Sequence, residues 1–116
     1  MDKSKESILI SIKKLLGIQE DYKNFDTDII IHINSVFAIL NQLGIGPTQG
    51  YKIEGESETW DDYIPDGKDI EDVKTYIYLK VKLVFDPALS GTVMEANKDV
   101  IRELEWRLNM NHESEE

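Results

Sequence analysis

The chain has 116 residues, 41% of them hydrophobic, with 13 basic against 23 acidic side chains and a formal net charge of −10. One domain with a single core is the expectation at this length, and the acidic balance argues against gripping nucleic acid by phosphate neutralisation, which needs a basic face. The absence of cysteine removes disulfides and thiolate metal sites, and no apolar run is long enough to span a membrane.

The first segment, residues 1–16, is an amphipathic helix. Ile8, Leu9, Ile12, Leu15 and Leu16 recur at helical spacing, whereas Lys5, Glu6, Ser11, Lys13 and Lys14 fall mostly on the other, solvated side. Ser4 is the expected cap, and Gly17 followed by Ile18 predicts a left-handed glycine ending with a hydrophobic contact after it. The Lys3/Lys5 start lacks the small-residue cleavage site of a secretory leader.

A polar stretch from Gln19 to Phe25 leads to Asp26 and Thr27, which open a second helix. Its broad apolar face is Ile29, Ile30, Ile33, Val36, Phe37, Leu40 and Leu43, and Gly44 with Ile45 repeats the first helix's ending. The β-branched start could argue for a strand, but unbroken periodicity through Leu43 favours helix. His32 is a single histidine with no Cys or second His at ligand spacing and reads as a boundary residue.

Residues 45–68 form the irregular section, rich in glycine and carrying Pro47 and Pro65. Tyr51 to Glu54 is a candidate extended piece and Gly55 to Glu58 a turn. Thr59 and Asp62 have capping-box spacing, with Asp in place of Glu, so a short helical turn is expected to carry Trp60, Tyr63 and Ile64 as a lid on the core. A loop of this length, anchored by aromatics, is a positioned loop and a natural interaction surface.

Several chemistry-bearing patterns fail here. Gly44, Gly46 and Gly50 follow a helix rather than a strand, and no Gly-Lys-Ser/Thr completes a phosphate loop. The calcium-loop template laid on Asp62, Ile64, Asp66, Gly67 and Val73 puts apolar Ile64 and Val73 where oxygen ligands belong. The carboxylates Asp61/Asp62 and Asp69/Glu71/Asp72 have no histidine or serine spaced to complete a hydrolytic set. No catalytic, cofactor-binding or metal-binding residue is assigned, and an enzyme is not expected.

The segment Asp69 to Pro87, DIEDVKTYIYLKVKLVFDP, is the longest dense apolar stretch. Asp69 and Asp72 offer carboxylates to a helix start, and Phe85, Asp86 and Pro87 supply a stop. Alternation from Ile77 to Phe85 also fits a half-buried strand, but the punctuated length favours a central core helix. Its apolar arc is Val73, Tyr76, Ile77, Val81 and Val84, widened by Leu79 and Leu83. Lys80 falls inside that arc and must snorkel or find a carboxylate.

The last helix is expected to begin near Ser90 or Thr92, the latter at capping-box spacing from Glu95, with an inward face of Val93, Ala96, Val100, Ile101, Leu104 and Leu108. Trp106 lies roughly opposite Leu104 and Leu108 at ~100° per residue. It is either covered by the central loop or reserved for a partner. Beyond Leu108, NMNHESEE is a polar, acidic tail. The expected architecture is all-α, a bundle of about four helices with a long irregular loop between the second and third, the domain spanning 1–108 and the tail 109–116.

The order of elements, with VKTYIYLKVKLVFDP (Val73 to Pro87) and the closing LEWRLN (Leu104 to Asn109), resembles the small head-tail connector proteins of tailed bacteriophages, also called adaptor or head-completion proteins. The resemblance implies a virion protein of the phage neck, made in the host cytoplasm. It would assemble as a homo-oligomeric, usually twelvefold ring beneath the portal protein, extend the DNA channel and dock the stopper or a tail-side neck protein. DNA would pass through the lumen without specific binding. The C-terminal segment of such proteins commonly reaches into the portal or a neighbouring subunit, which maps here onto Asn109 to Glu116. Candidate interface residues are Trp60, Tyr63, Lys80, Lys82, Trp106, Arg107, Asn109, Met110, Asn111 and His112. The rival readings are a small DNA-packaging subunit, which should carry a basic helix-turn-helix, and a monomeric regulatory helical protein.

Overall fold

The computed structural model describes residues 6–85 and 91–113, with side chains described up to residue 110. The fold is all-α, with five helices: α1 Ile8–Leu15, α2 Asp26–Gln42, the single turn α3 Trp60–Tyr63, α4 Ile70–Phe85 and α5 Gly91–Glu113. No strand occurs among the described residues; an isolated antiparallel bridge joins Ser7 to Thr59. The four longer helices and the irregular segment between α2 and α4 match the sequence expectation, α3 being the capped turn inside that segment.

The segment that carries the strand-like alternation is helix α4, and it is central: it packs on α1, α2 and α5. Val73, Tyr76, Ile77, Leu79 and Val81 are buried along it. These meet Ile8, Leu9 and Ile12 of α1, Ile29, Ile33, Val36, Phe37 and Leu40 of α2, and Ile101, Leu104 and Leu108 of α5 in one cluster. Fully burying an aliphatic or Phe side chain contributes ~1.5–3 kcal/mol. A helix contacted on three sides therefore outcompetes an edge strand that would leave half those side chains wet.

Both helix endings read from glycine are present. Gly17 takes φ +82° and Gly44 φ +87°. Ile18 N–H donates to the Lys13 carbonyl at 2.9 Å and Gly17 N–H to that of Lys14 at 3.1 Å, while Ile45 and Gly44 repeat the pattern on Leu40 and Asn41. Each ending thus satisfies two carbonyls that the helix leaves open.

The start of α1 differs from expectation. Ser7 is the N-cap, its hydroxyl accepting from Ile10 N–H, and Ser4 lies outside the described residues. The cause is the bridge to the loop: Ile8 N–H donates to the Glu58 carbonyl at 3.0 Å and Trp60 N–H to that of Glu6 at 3.3 Å, so the chain is still extended at residue 7. Thr92 is already inside α5, so the Thr92/Glu95 pair does not stand at its start. The Ser90 alternative and the Pro87 stop lie outside the described residues. Asp69 precedes α4 with φ +58°, a left-handed conformation that Asp tolerates better than most residues, and its carbonyl accepts the Val73 N–H.

The irregular section is pinned at three places. The Asn34 side chain on α2 bonds both backbone groups of Ile53, accepting from its N–H at 2.8 Å and donating to its carbonyl at 3.0 Å, which gives an extended segment the partner a strand would supply. Glu58 accepts from Glu54 N–H and Gly55 N–H, closing the turn between them. Thr59 and Asp62 form the expected reciprocal capping box.

Candidate assembly interface

Two of the ten candidate residues are interior. Trp60 is fully buried and its indole N–H donates to Ser11 Oγ at 3.1 Å; the Lys74 ammonium stands 5.4 Å from its ring centre. Tyr63 is packed against Phe37 and Tyr51, at ring-centre distances of 4.5 and 5.1 Å, and burial pushes its phenol pKa up. Both lid the core as the capping box foretold, and neither offers surface in this fold.

The α4 lysines sit differently from one another. Lys80 is half-buried in the apolar arc and has no hydrogen-bond or ion-pair partner among the described residues. Lys82 is half-buried and engaged within the fold. Neither side chain is fully solvated.

Helix α5 carries the remaining candidates and is held to α4 by two polar ties. The Tyr76 hydroxyl donates to Glu105 Oε2 at 2.7 Å, and an Arg107 guanidinium nitrogen lies 3.7 Å from Asp72 Oδ2. Burial, followed by the Glu105 bond and charge, pushes the Tyr76 phenol pKa up. The two ties set an antiparallel register. Trp106, between them in sequence, turns away and is 65% exposed, and Met110 on the same face is also exposed. Asn109 is half-buried. Asn111 and His112 lie on the helical backbone of α5, and their side chains are outside the described set. Residues 109–113 of the acidic tail are thus a continuation of α5.

The expected inward face of α5 needs correcting in its first half. Ile101, Leu104 and Leu108 are buried, but Val93 and Val100 are 49% and 40% exposed and Ala96 is exposed too. The main contact of α5 is with α4 alone, so one neighbour covers one narrow arc. Val93, Ala96 and Val100 trail ~50–110° round the helix from the centre of that arc. Val84, at the same end of the α4–α5 pair, is 61% exposed although it lies in the apolar arc of α4. No signal within either helix shows how far its apolar stripe is covered. Periodicity names the stripe and leaves its partners open.

Among the described residues, no group of three or more His, Asp or Glu side chains converges as metal ligands would, and no helix is long and apolar enough to cross a membrane. A protein-family profile described as "Phage connector protein" matches residues 8–115, nearly the whole chain. The chain belongs to the phage connector family. No curated protein and no solved structure matches it. Membership makes this connector a structural component of the phage at the virion neck, interacting with head or tail components, and it agrees with the resemblance carried by Val73 to Pro87 and Leu104 to Asn109.

Proposed function

We propose that this connector is the adaptor that assembles as a ring, twelvefold by resemblance, beneath the portal protein, extends the DNA channel and docks the stopper or tail-side neck protein. It acts without catalysis, cofactor or metal. The observation that carries the reading is Trp106: a large aromatic held outward, with Met110 beside it, on a helix whose opposite side is tied to α4. Aromatic, Met and Arg side chains are enriched at the cores of protein contacts, and Arg107 stands next to this pair. Residues 109–113 continue the same helix, and 109–116 is the segment assigned to the portal or the neighbouring subunit, with Asn109, Met110, Asn111 and His112 at its base.

The net charge of −10 supports the channel role, because a ring multiplies it and a negative lumen repels DNA phosphates, letting the duplex slide. The same charge makes subunits repel one another, so the seam needs apolar anchors and lysine-to-carboxylate pairs. Lys80, half-buried and without a partner among the described residues, is assigned to that need. Light scattering with and without purified portal tests the reading. A portal-dependent assembly of connector mass is expected, weakened by deletion of residues 109–116, and a monomer that ignores the portal would overturn it. Equal portal binding by the deletion variant would remove the tail from the contact.

A further inference from the structure

A second surface lies on the other side of the molecule from Trp106. Between α1 and α4 runs a groove of about 480 Å³ walled by Leu15, Tyr78 and the stems of Lys14 and Lys74, with Glu6 and Glu71 at its rim. Leu15 is exposed although it closes a helix whose other aliphatic residues are largely buried. Lys14 has no ion-pair partner among the described residues, in a chain that is otherwise strongly acidic.

The groove and the Trp106 face cannot meet within one chain. Lys74 and Tyr78 stand roughly 120–160° round α4 from Asp72 and Tyr76, the two residues that tie α5. Trp106 and Met110 point further out still, on the side of α5 away from α4. Their chemistry nevertheless matches. An indole offers ~150–250 Å² of area for burial, and the groove presents an aromatic, a leucine and lysine stems. Glu103, exposed on the Trp106 and Met110 side of α5, has no ion-pair partner among the described residues, which complements the unpaired Lys14.

We infer that the α1–α4 groove receives the Trp106/Met110 face of α5 from a second copy of this chain, with Lys14 of one copy against Glu103 of the next. Two different patches on opposite sides of a subunit make a heterologous contact, which propagates head to tail and closes into a ring when the rotation allows. The inference rests on the ring reading above and names its seam.

The chain has no cysteine, so introduced thiols report this contact cleanly. In connector assembled on the portal, the double variant Leu15→Cys/Met110→Cys should form a ladder of covalent multimers on mild oxidation. The two single variants should give nothing apart and only dimers when mixed. Lys14→Glu and Glu103→Lys should each raise the concentration needed for assembly about fivefold, and combining them in one chain should restore it to within about twofold. Trp106→Ala, at an exposed position, should leave the monomer folded and raise that concentration at least ~30-fold. Assembled rings without the ladder or the charge rescue would overturn the seam and leave the ring reading standing. No assembly under any condition would overturn both.

Discussion

The Lys13 ammonium lies 2.8 Å from Asp26 Oδ1 with its entire side chain out of solvent, joining the end of α1 to the start of α2. It also donates to the carbonyls of Glu20 at 3.0 Å and Tyr22 at 2.7 Å, so one cation holds the connecting loop in place. A buried charge is tolerated only when paired and hydrogen-bonded. Lys13→Met keeps the volume and leaves a carboxylate and two carbonyls without their donor. The expected loss is about 3 kcal/mol, the low end of the range for removing one partner of a buried pair, because Asp26 keeps some contact with water. Urea unfolding should show it, and Lys13→Met/Asp26→Leu should recover a large part.

Tyr76 and Glu105 form the buried half of the α4–α5 attachment. Tyr76→Phe should cost about 1.5–3 kcal/mol, as expected for a hydrogen bond to a charged group, and should loosen α5 before the rest, visible as faster amide exchange at residues 101–108.

Alkali should act on the same bond. The ordinary phenol pKa is 10.0, and in the fold it is raised at Tyr76 by burial and Glu105, at Tyr63 by burial, and at Tyr51, by burial and then Asp62 and Glu58, to about 12. Raised folded values mean that the folded state holds these protons when the unfolded chain has lost them. Stability is therefore full below pH ~10 and falls as pH rises through the folded values. Urea midpoints should be flat from pH 8 to about 9.5 and then decline, with a shallower decline in Tyr76→Phe.

What the sequence could show followed from which interactions are local. The glycine endings at Gly17 and Gly44 and the Thr59/Asp62 box are made within a few residues, so spacing reveals them. Periodicity assigns sides and so puts Lys13 on a solvated face, while its burial depends on the 20–26 segment folding back over it. Val93 and Val100 show the converse: their apolar character is plain, and only the packing of α5 on a single neighbour decides that they stay exposed. Trp106 was legible as an outward residue. The α1–α4 groove was not, because its walls come from residues some 60 positions apart in the chain.

Gly46 and Gly50 separate steric from conformational cost. Both take positive φ, +84° and +93°, but a Cβ at Gly46 would stand 2.5 Å from a Tyr63 ring carbon, whereas nothing lies within 4 Å at Gly50. Gly50→Ala should cost only the left-handed backbone penalty of ~1–2 kcal/mol. Gly46→Ala should add ~1–3 kcal/mol for displacing a packed ring, and its thermal midpoint should fall clearly below that of Gly50→Ala.

Lys80 offers a test that sets folding against assembly. It lies half-buried between the apolar neighbours Tyr76, Ile77 and Val84 on α4, with no charge partner among the described residues. An unpaired ammonium there contributes nothing that a hydrocarbon would not, and removing it relieves a desolvation cost. Lys80→Leu should therefore stabilise the isolated connector by about 0.5–1 kcal/mol in urea, since the added burial is partial. If a neighbouring subunit's carboxylate meets Lys80 in the ring, the same variant should raise the concentration for assembly on the portal several-fold while the monomer grows more stable. A variant that stabilises the monomer and assembles as well as the parent would leave Lys80 outside the seam, with Trp106 and the α1–α4 groove carrying the contact.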